Sequence, residues 1–388
     1  MTSDLTAYVR RRLIERLTFQ LATMLRPQSH FLSSRRGDAA AFAVCSHVPP
    51  PIPIFDGHND ALLRLDGDID AFFQRNDSGH VDLPRAREGG LAGGFCAMFT
   101  RYWPEDYDPM EGGVPPTPDL AFAQESTLTL MARLLRIAAR SDGQMRIVRT
   151  LADIEAAFAD GAFAALVHVE GAEAIDPDLN SLEVFYQAGL RSLGLVWSRP
   201  NIFAEGVPFR FNTSPDTGPG LTDRGEELVR TCNRLGVLVD LSHLNERGFW
   251  DVARISEKPL VATHSNAWAL SPATRNLTDR QHDAIRESDG MVGINFAVGF
   301  LREDCGPVPD TPLDTIVRHV DYLAEHVGID RVGFGSDFDG ATIPAPLGDA
   351  AGLPRLLDAL RRHGYGEPSL RKIAHENWLR VLRLTWSA

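Results

Sequence analysis

The 388-residue sequence predicts an α/β fold, a (β/α)8 TIM-like barrel. Eight apolar, strand-like runs alternate with helical patterns from residue 51 onward. Most are nearly continuous in Val, Leu, Ile and Phe, as strands buried on both faces are. No internal repeat and no low-complexity linker splits the chain into halves. A doubly wound open sheet would show the same alternation, so the count alone does not choose; the placement of the polar residues does.

The runs lie at 51–58, 92–99, 163–171, 190–197, 236–243, 259–265, 290–297 and 331–340. Helical patterns are clearest at 119–141, 221–236, 245–257 and 313–328. Thr222 and Asn245 stand at the starts of two of them as capping residues. Gly236 and Gly328 stand at two ends. Long turn-rich segments at 103–119 and 199–220 are expected to be lids or walls over one face of the barrel.

Composition narrows the partners. A formal net charge of -13 argues against nucleic acid and anionic membrane. No apolar run approaches the roughly 20 residues that span a bilayer. Cys45, Cys96, Cys232 and Cys305 are scattered and read as small buried hydrophobes, neither a zinc knuckle nor a disulfide framework. Residues 1–50 read as an N-terminal helical extension with a basic face, ahead of a barrel domain over 51–388. Arg10, Arg11, Arg12, Glu15 and Arg16 interrupt any signal-peptide core, so a cytoplasmic location is expected. Arg35-Arg36 gives only a weak twin-arginine export signal.

In a barrel, functional side chains come from the C-terminal ends of several strands. Here those ends carry His58 and Asp60, His168 and Glu170, Asp240 and His243, His264, then Asp337 and Asp339. Five strand ends populated by histidine and carboxylate make a constellation of metal-ligand types. His58 and Asp60, at i and i+2, share a face of an extended strand and could reach one ion. Alone, the pair fits equally well with Asp60 capping a helix that begins at Ala61.

Glu170 follows an apolar run, where a carboxylate must be paired or metal-bound. Two close cations need a bridging anion. The only lysines, Lys258 and Lys372, are badly placed to be a carbamylated bridge, so Glu170 is the economical choice. His243 and His264 end consecutive strands and would form a second site with it, unless both are surface histidines. His168 shares the face of Glu170 and is expected behind the ligands rather than among them. Asp337 is the inward candidate for proton transfer, and Asp339 could merely fix a turn before Gly340. Arg275 could hold an anionic substrate group through two parallel hydrogen bonds, or could face solvent.

These residues fall in segments that resemble the membrane dipeptidase, or renal dipeptidase, family of zinc peptidases. The segments are FDGHND (55–60), DLPRAREGGLAGGFCAMF (82–99), HVEGAEAID (168–176), GEELVRTCNRLGVLVDLSH (225–243), THSNAWALSPATRN (263–276), GFGSDFDG (333–340) and ENWLRVL (376–382). The resemblance implies a barrel of the metal-dependent hydrolase type, two zinc ions, a dipeptide substrate and a homodimer. It implies His58 and Asp60 on one ion, Glu170 bridging, and His243 and His264 on the other. It implies Arg275 on the substrate carboxylate and Asp337 handling protons. One position departs: Trp197 stands where better-known members have a histidine that contacts the scissile carbonyl region. Indole has one donor and no acceptor. That departure keeps another amide hydrolase open, for β-lactams or N-acyl amino acids. A metal-bound binding protein without catalysis is the remaining alternative.

Overall fold

The computed structural model describes residues 52–386, apart from 66, 105–106 and 108–112. The extension expected over 1–50, Cys45 and part of the 103–119 loop lie outside the described residues. Among the described residues, nine parallel strands form: β1 (Ile54–Asn59), β2 (Leu91–Phe99), β3 (Met145–Val148), β4 (Phe163–Glu170), β5 (Leu190–Gly194), β6 (Leu238–Asp240), β7 (Val261–Ala262), β8 (Met291–Ile294) and β9 (Val332–Phe334). Eight follow the order β1-β2-β4-β5-β6-β7-β8-β9, and β3 pairs only with β4, off that path.

The ring returns on itself between β9 and β1. Asn59 bridges to Phe338, and Asp60 N–H donates to Phe338 O at 2.7 Å. Asp56 reinforces this seam, accepting from Ser336 N–H at 2.7 Å and Ser336 Oγ at 2.6 Å. One acid of the DGHND segment thus closes the barrel. Each ring strand matches one expected run; β3 was not expected from the sequence.

Helices run between the strands, among them α1 (Leu120–Arg140), α2 (Leu151–Ala159), α3 (Asn180–Ala188), α4 (Asp223–Leu235), α5 (Glu246–Ile255), α6 (Asp279–Glu287), α7 (Leu313–Val327), α8 (Leu353–His363) and α9 (Asn377–Thr385). The expected caps operate. Thr222 Oγ1 accepts from Gly225 N–H at 3.1 Å and Asn245 Oδ1 from Gly248 N–H at 2.9 Å. Gly236 ends α4 in the left-handed region, at φ 73°.

Beneath the mouth, Phe55, Phe95, Leu166, Leu238, Val261 and Met291 form one apolar cluster with Trp378 of α9. The indole is fully buried, and its Nε1–H donates to Phe334 O at 3.0 Å. Gly57 and Gly333 make room for it: a Cβ on either would come within 2.4 and 2.7 Å of the indole. From this floor, rings step upward from Trp378 to Phe95 at 5.0 Å, to His168 at 6.0 Å and to His58 at 5.4 Å. Cys96, Cys232 and Cys305 are buried free thiols, as expected of small hydrophobes. Among the described residues, no helix is long and apolar enough to cross a membrane.

Candidate metal centre

The chain leaves the sheet as it reaches the mouth, so several expected strands are shorter than their apolar runs. His58 lies within β1 and Glu170 is the last residue of β4. Asp60, His243, His264 and Asp337 lie just past their strands. His243 and Asp337 have positive φ, 67° and 59°. His and Asp tolerate that region better than most residues, and it turns their side chains back over the mouth. Asp60 precedes the short helix Ala61–Arg64 but makes no side-chain capping bond.

Glu170 lies between two histidine groups. Its Oε1 is 3.0 Å from His243 Nε2 and 3.5 Å from His264 Nε2. Its Oε2 is 3.7 Å from His58 Nε2, which lies 3.3 Å from Asp60 Oδ2. His243 and His264 approach Nε2 to Nε2 at 3.1 Å. Three overlapping sets have ligand atoms within 4.8 Å of one another: His58, Asp60 and Glu170; Glu170, His243 and His264; His58, His264 and Asp337. The structure thus brings together the five ligand candidates and Asp337.

A supporting layer surrounds them. Ser198 Oγ lies 2.8 Å from His243 Nδ1, and Thr263 Oγ1 lies 2.8 Å from His264 Nδ1. Asp240 accepts from Thr263 N–H at 2.8 Å and Thr263 Oγ1 at 2.6 Å, and its Oδ2 lies 3.7 Å from His168 Nε2. His168 stands behind His58, with Nδ1 3.0 Å from Ser192 Oγ. Asn295 Nδ2 donates to Asp337 Oδ2 at 2.9 Å. Asp339 accepts from His80 and Val81 N–H at 2.5 and 3.2 Å, pinning a neighbouring loop. Arg275 is buried, not solvent-facing; its Nη1 donates to Ser265 Oγ and its Nη2 to His264 O, both at 2.9 Å. Ser198, Thr263 and Asn295 were not singled out in the sequence, although Asn295 is a polar residue near the end of an apolar run.

Electrostatics test whether these residues suit a cation. Asp60, Glu170 and Asp337 set three carboxylates against one guanidinium, that of Arg275. Burial opposes a proton on His58, but Glu170 and Asp60 outweigh it and raise the imidazole to about 10. Burial pushes Glu170 up to about 8 and Asp337 above its ordinary range. Burial, with positive neighbours, holds His243 and His264 well below the ordinary histidine range. Both ring nitrogens of His58 and Asp60 Oδ1 are buried without hydrogen-bond partners. Each such atom costs about 1–3 kcal/mol unless something satisfies it. Imidazoles, carboxylates and surplus negative charge fit a divalent cation.

Above this cluster the mouth widens into a cavity of about 1100 Å³. Phe99, Trp197, Phe209 and Phe300 line part of it, and Trp103 stacks on Trp197 at 5.2 Å. Trp103 and Phe209 come from the two long loops expected to form walls.

A parallel barrel with buried imidazoles and carboxylates at its mouth belongs to the class of metal-dependent barrel hydrolases. The chain is a member of the membrane dipeptidase family, peptidase family M19, whose model matches residues 43–387. A metallopeptidase from Rhodobacter sphaeroides, solved with a phosphinate mimic of the dipeptide L-Ala-D-Ala, is 50% identical with a TM-score of 0.84; the match covers 86% of this chain and 99% of that one. A second solved metallopeptidase, described as dipeptidase AC, is 51% identical with a TM-score of 0.83, over 87% of this chain and 99% of that one. A dipeptidase of Claviceps purpurea, tcpJ, is 28% identical over 335 residues, 84% of this chain and 76% of that protein. The protein is a metallopeptidase of the dipeptidase type.

Proposed function

We propose that this protein hydrolyses the peptide bond of dipeptides at a pair of zinc ions. The observation that carries the reading is the placement of Glu170, whose two oxygens face different histidine groups. His58 and Asp60 would hold one ion, His243 and His264 the other, with Glu170 shared. When bound, the ions supply Lewis acidity, which makes water nucleophilic near neutral pH and polarises a carbonyl.

The chain's own groups orient the rest. Ser198 and Thr263 accept from the Nδ1–H groups of His243 and His264, which leaves both Nε2 lone pairs facing the centre. Asn295 fixes one oxygen of Asp337, and the other takes the proton of the attacking water and returns it to the leaving amine. Arg275 retains a buried Nε–H with no partner, suited to the terminal carboxylate of a dipeptide. Trp197 walls the substrate space beside His243, with ring centroids 5.7 Å apart. It offers an N–H donor where a histidine would offer a titrating group.

Elemental analysis should return about two zinc ions per chain. Dipeptide cleavage should vanish on chelation and return with zinc. Bound zinc without dipeptide cleavage would shift the reading to a β-lactam or N-acyl amino acid amide. No retained metal after reconstitution would remove the ligand assignment.

A further inference from the structure

The cavity is larger than two small residues need, and part of its lining carries charge that the ligand cluster does not use. Arg64, Arg101, Glu125 and Arg133 all line it. Arg64 is committed to the fold: Nη1 donates to Asn76 Oδ1, Nη2 donates to Val81 O, and Nε lies 3.5 Å from Asp339. Arg133 donates through Nη1 to Leu62 O. Among the described residues, neither Arg101 nor Arg133 has a carboxylate partner. On this part of the lining, away from the carboxylates of the cluster, Arg101 and Arg133 outnumber Glu125.

Arg101 is also pre-oriented. Its guanidinium sits 5.4 Å over the Trp103 ring, and Trp103 stacks on Trp197 at an interplanar angle of 22°. A planar cation resting on an aromatic plinth is suited to a carboxylate. Position in the ring says which substrate residue would meet it. Arg101 follows β2, second in the ring order, whereas Arg275 follows β7, sixth of eight. The two arginines therefore rise from opposite sides of the mouth. A dipeptide with its terminal carboxylate at Arg275 directs its N-terminal residue toward the β2 side.

We infer that Arg101, with Arg133, recognises an acidic side chain on the N-terminal residue, so that the preferred substrates are dipeptides beginning with glutamate or aspartate. This rests on the proposed dipeptidase reading and on Arg275 as the carboxylate anchor. The test compares kcat/KM for L-Glu-D-Ala, L-Gln-D-Ala, L-Lys-D-Ala and L-Ala-D-Glu on the zinc-loaded enzyme. The Glu/Gln ratio at the first residue should be about tenfold or more at low salt, and should shrink in about 0.5 M NaCl. Arg101→Gln should bring that ratio to about one, and Arg101→Glu should turn the preference toward L-Lys-D-Ala. Because the ratio is taken within each variant, partial misfolding or metal loss cancels. A wild-type ratio near one, a ratio that survives Arg101→Gln, or an acidic preference at the second residue instead of the first would overturn the inference while leaving the dipeptidase reading intact. Failure to cleave any of the four dipeptides would remove both.

Discussion

Asp337 occupies a left-handed backbone position, with its N–H bonded to His58 O at 3.1 Å and one carboxylate oxygen held by Asn295. Its side chain therefore has little freedom, and burial keeps its proton affinity above that of an ordinary aspartate. Asp337→Asn should lower turnover about 10²- to 10⁴-fold while zinc content stays near that of the wild type. Parallel loss of metal and activity would make Asp337 a ligand instead of a proton carrier. The clustering of histidines and carboxylates was legible because these residue types are rare after apolar runs. Ser198 and Thr263 were not: a hydroxyl is common anywhere, and its meaning depends on an imidazole that folding brings to 2.8 Å. Asp56 and Asp60 show a further limit. Two aspartates alike in sequence became a seam clamp and a member of the histidine–carboxylate cluster, decided by where β1 meets β9.

At the scale of elements, the loops after β2, β4 and β5 are tied by one buried ion pair. Arg199 Nε meets Glu173 Oε1 at 2.7 Å, and Arg199 Nη2 donates to Thr100 O at 2.7 Å. Both side chains are essentially inaccessible, at 0% and 1% exposure, so neither charge can recover hydration if its partner is lost. Arg199→Met should therefore cost about 3–5 kcal/mol in denaturant unfolding, and the double change with Glu173→Gln should cost less. A loss below about 1 kcal/mol would show that the pair does not secure these loops. The elements themselves were largely readable, since buried parallel strands announce themselves as apolar runs. β3 escaped because its four residues, Met-Arg-Ile-Val, are only half buried and contact a single neighbouring strand. The strand ends were overextended for the opposite reason: apolar sequence continues after the backbone has turned toward the mouth.

Across the whole molecule, stability should depend on pH through histidines far from the metal centre. His282 is fully buried, its ring nitrogens lack hydrogen-bond partners, and burial, only partly offset by Asp279, holds it near 4. An unfolded chain takes up a proton near 6.5, so between about 6.5 and 4 the unfolded state binds more protons and stability falls as pH falls. His282→Leu removes this linkage. Its stability relative to the wild type should rise by about 2 kcal/mol from pH 8 to pH 5, read from denaturation midpoints at each pH. A constant difference across that range would mean that His282 titrates alike in the folded and unfolded chains, and its burial would then have no effect on its proton affinity. The fold class was legible at this scale because eight alternating units leave few arrangements. The side chains that make the closure were not, because β1 and β9 meet through Asp56 and Ser336, 280 residues apart. That separation, together with the Trp378 plug, sets an order of events during synthesis. A nascent chain that has emerged through residue 330 already displays His58, Asp60, Glu170, His243 and His264, yet it lacks the last stave of the barrel and the indole that stoppers its base. Any metal ion can therefore enter a finished vessel only after β9 and α9 have left the ribosome.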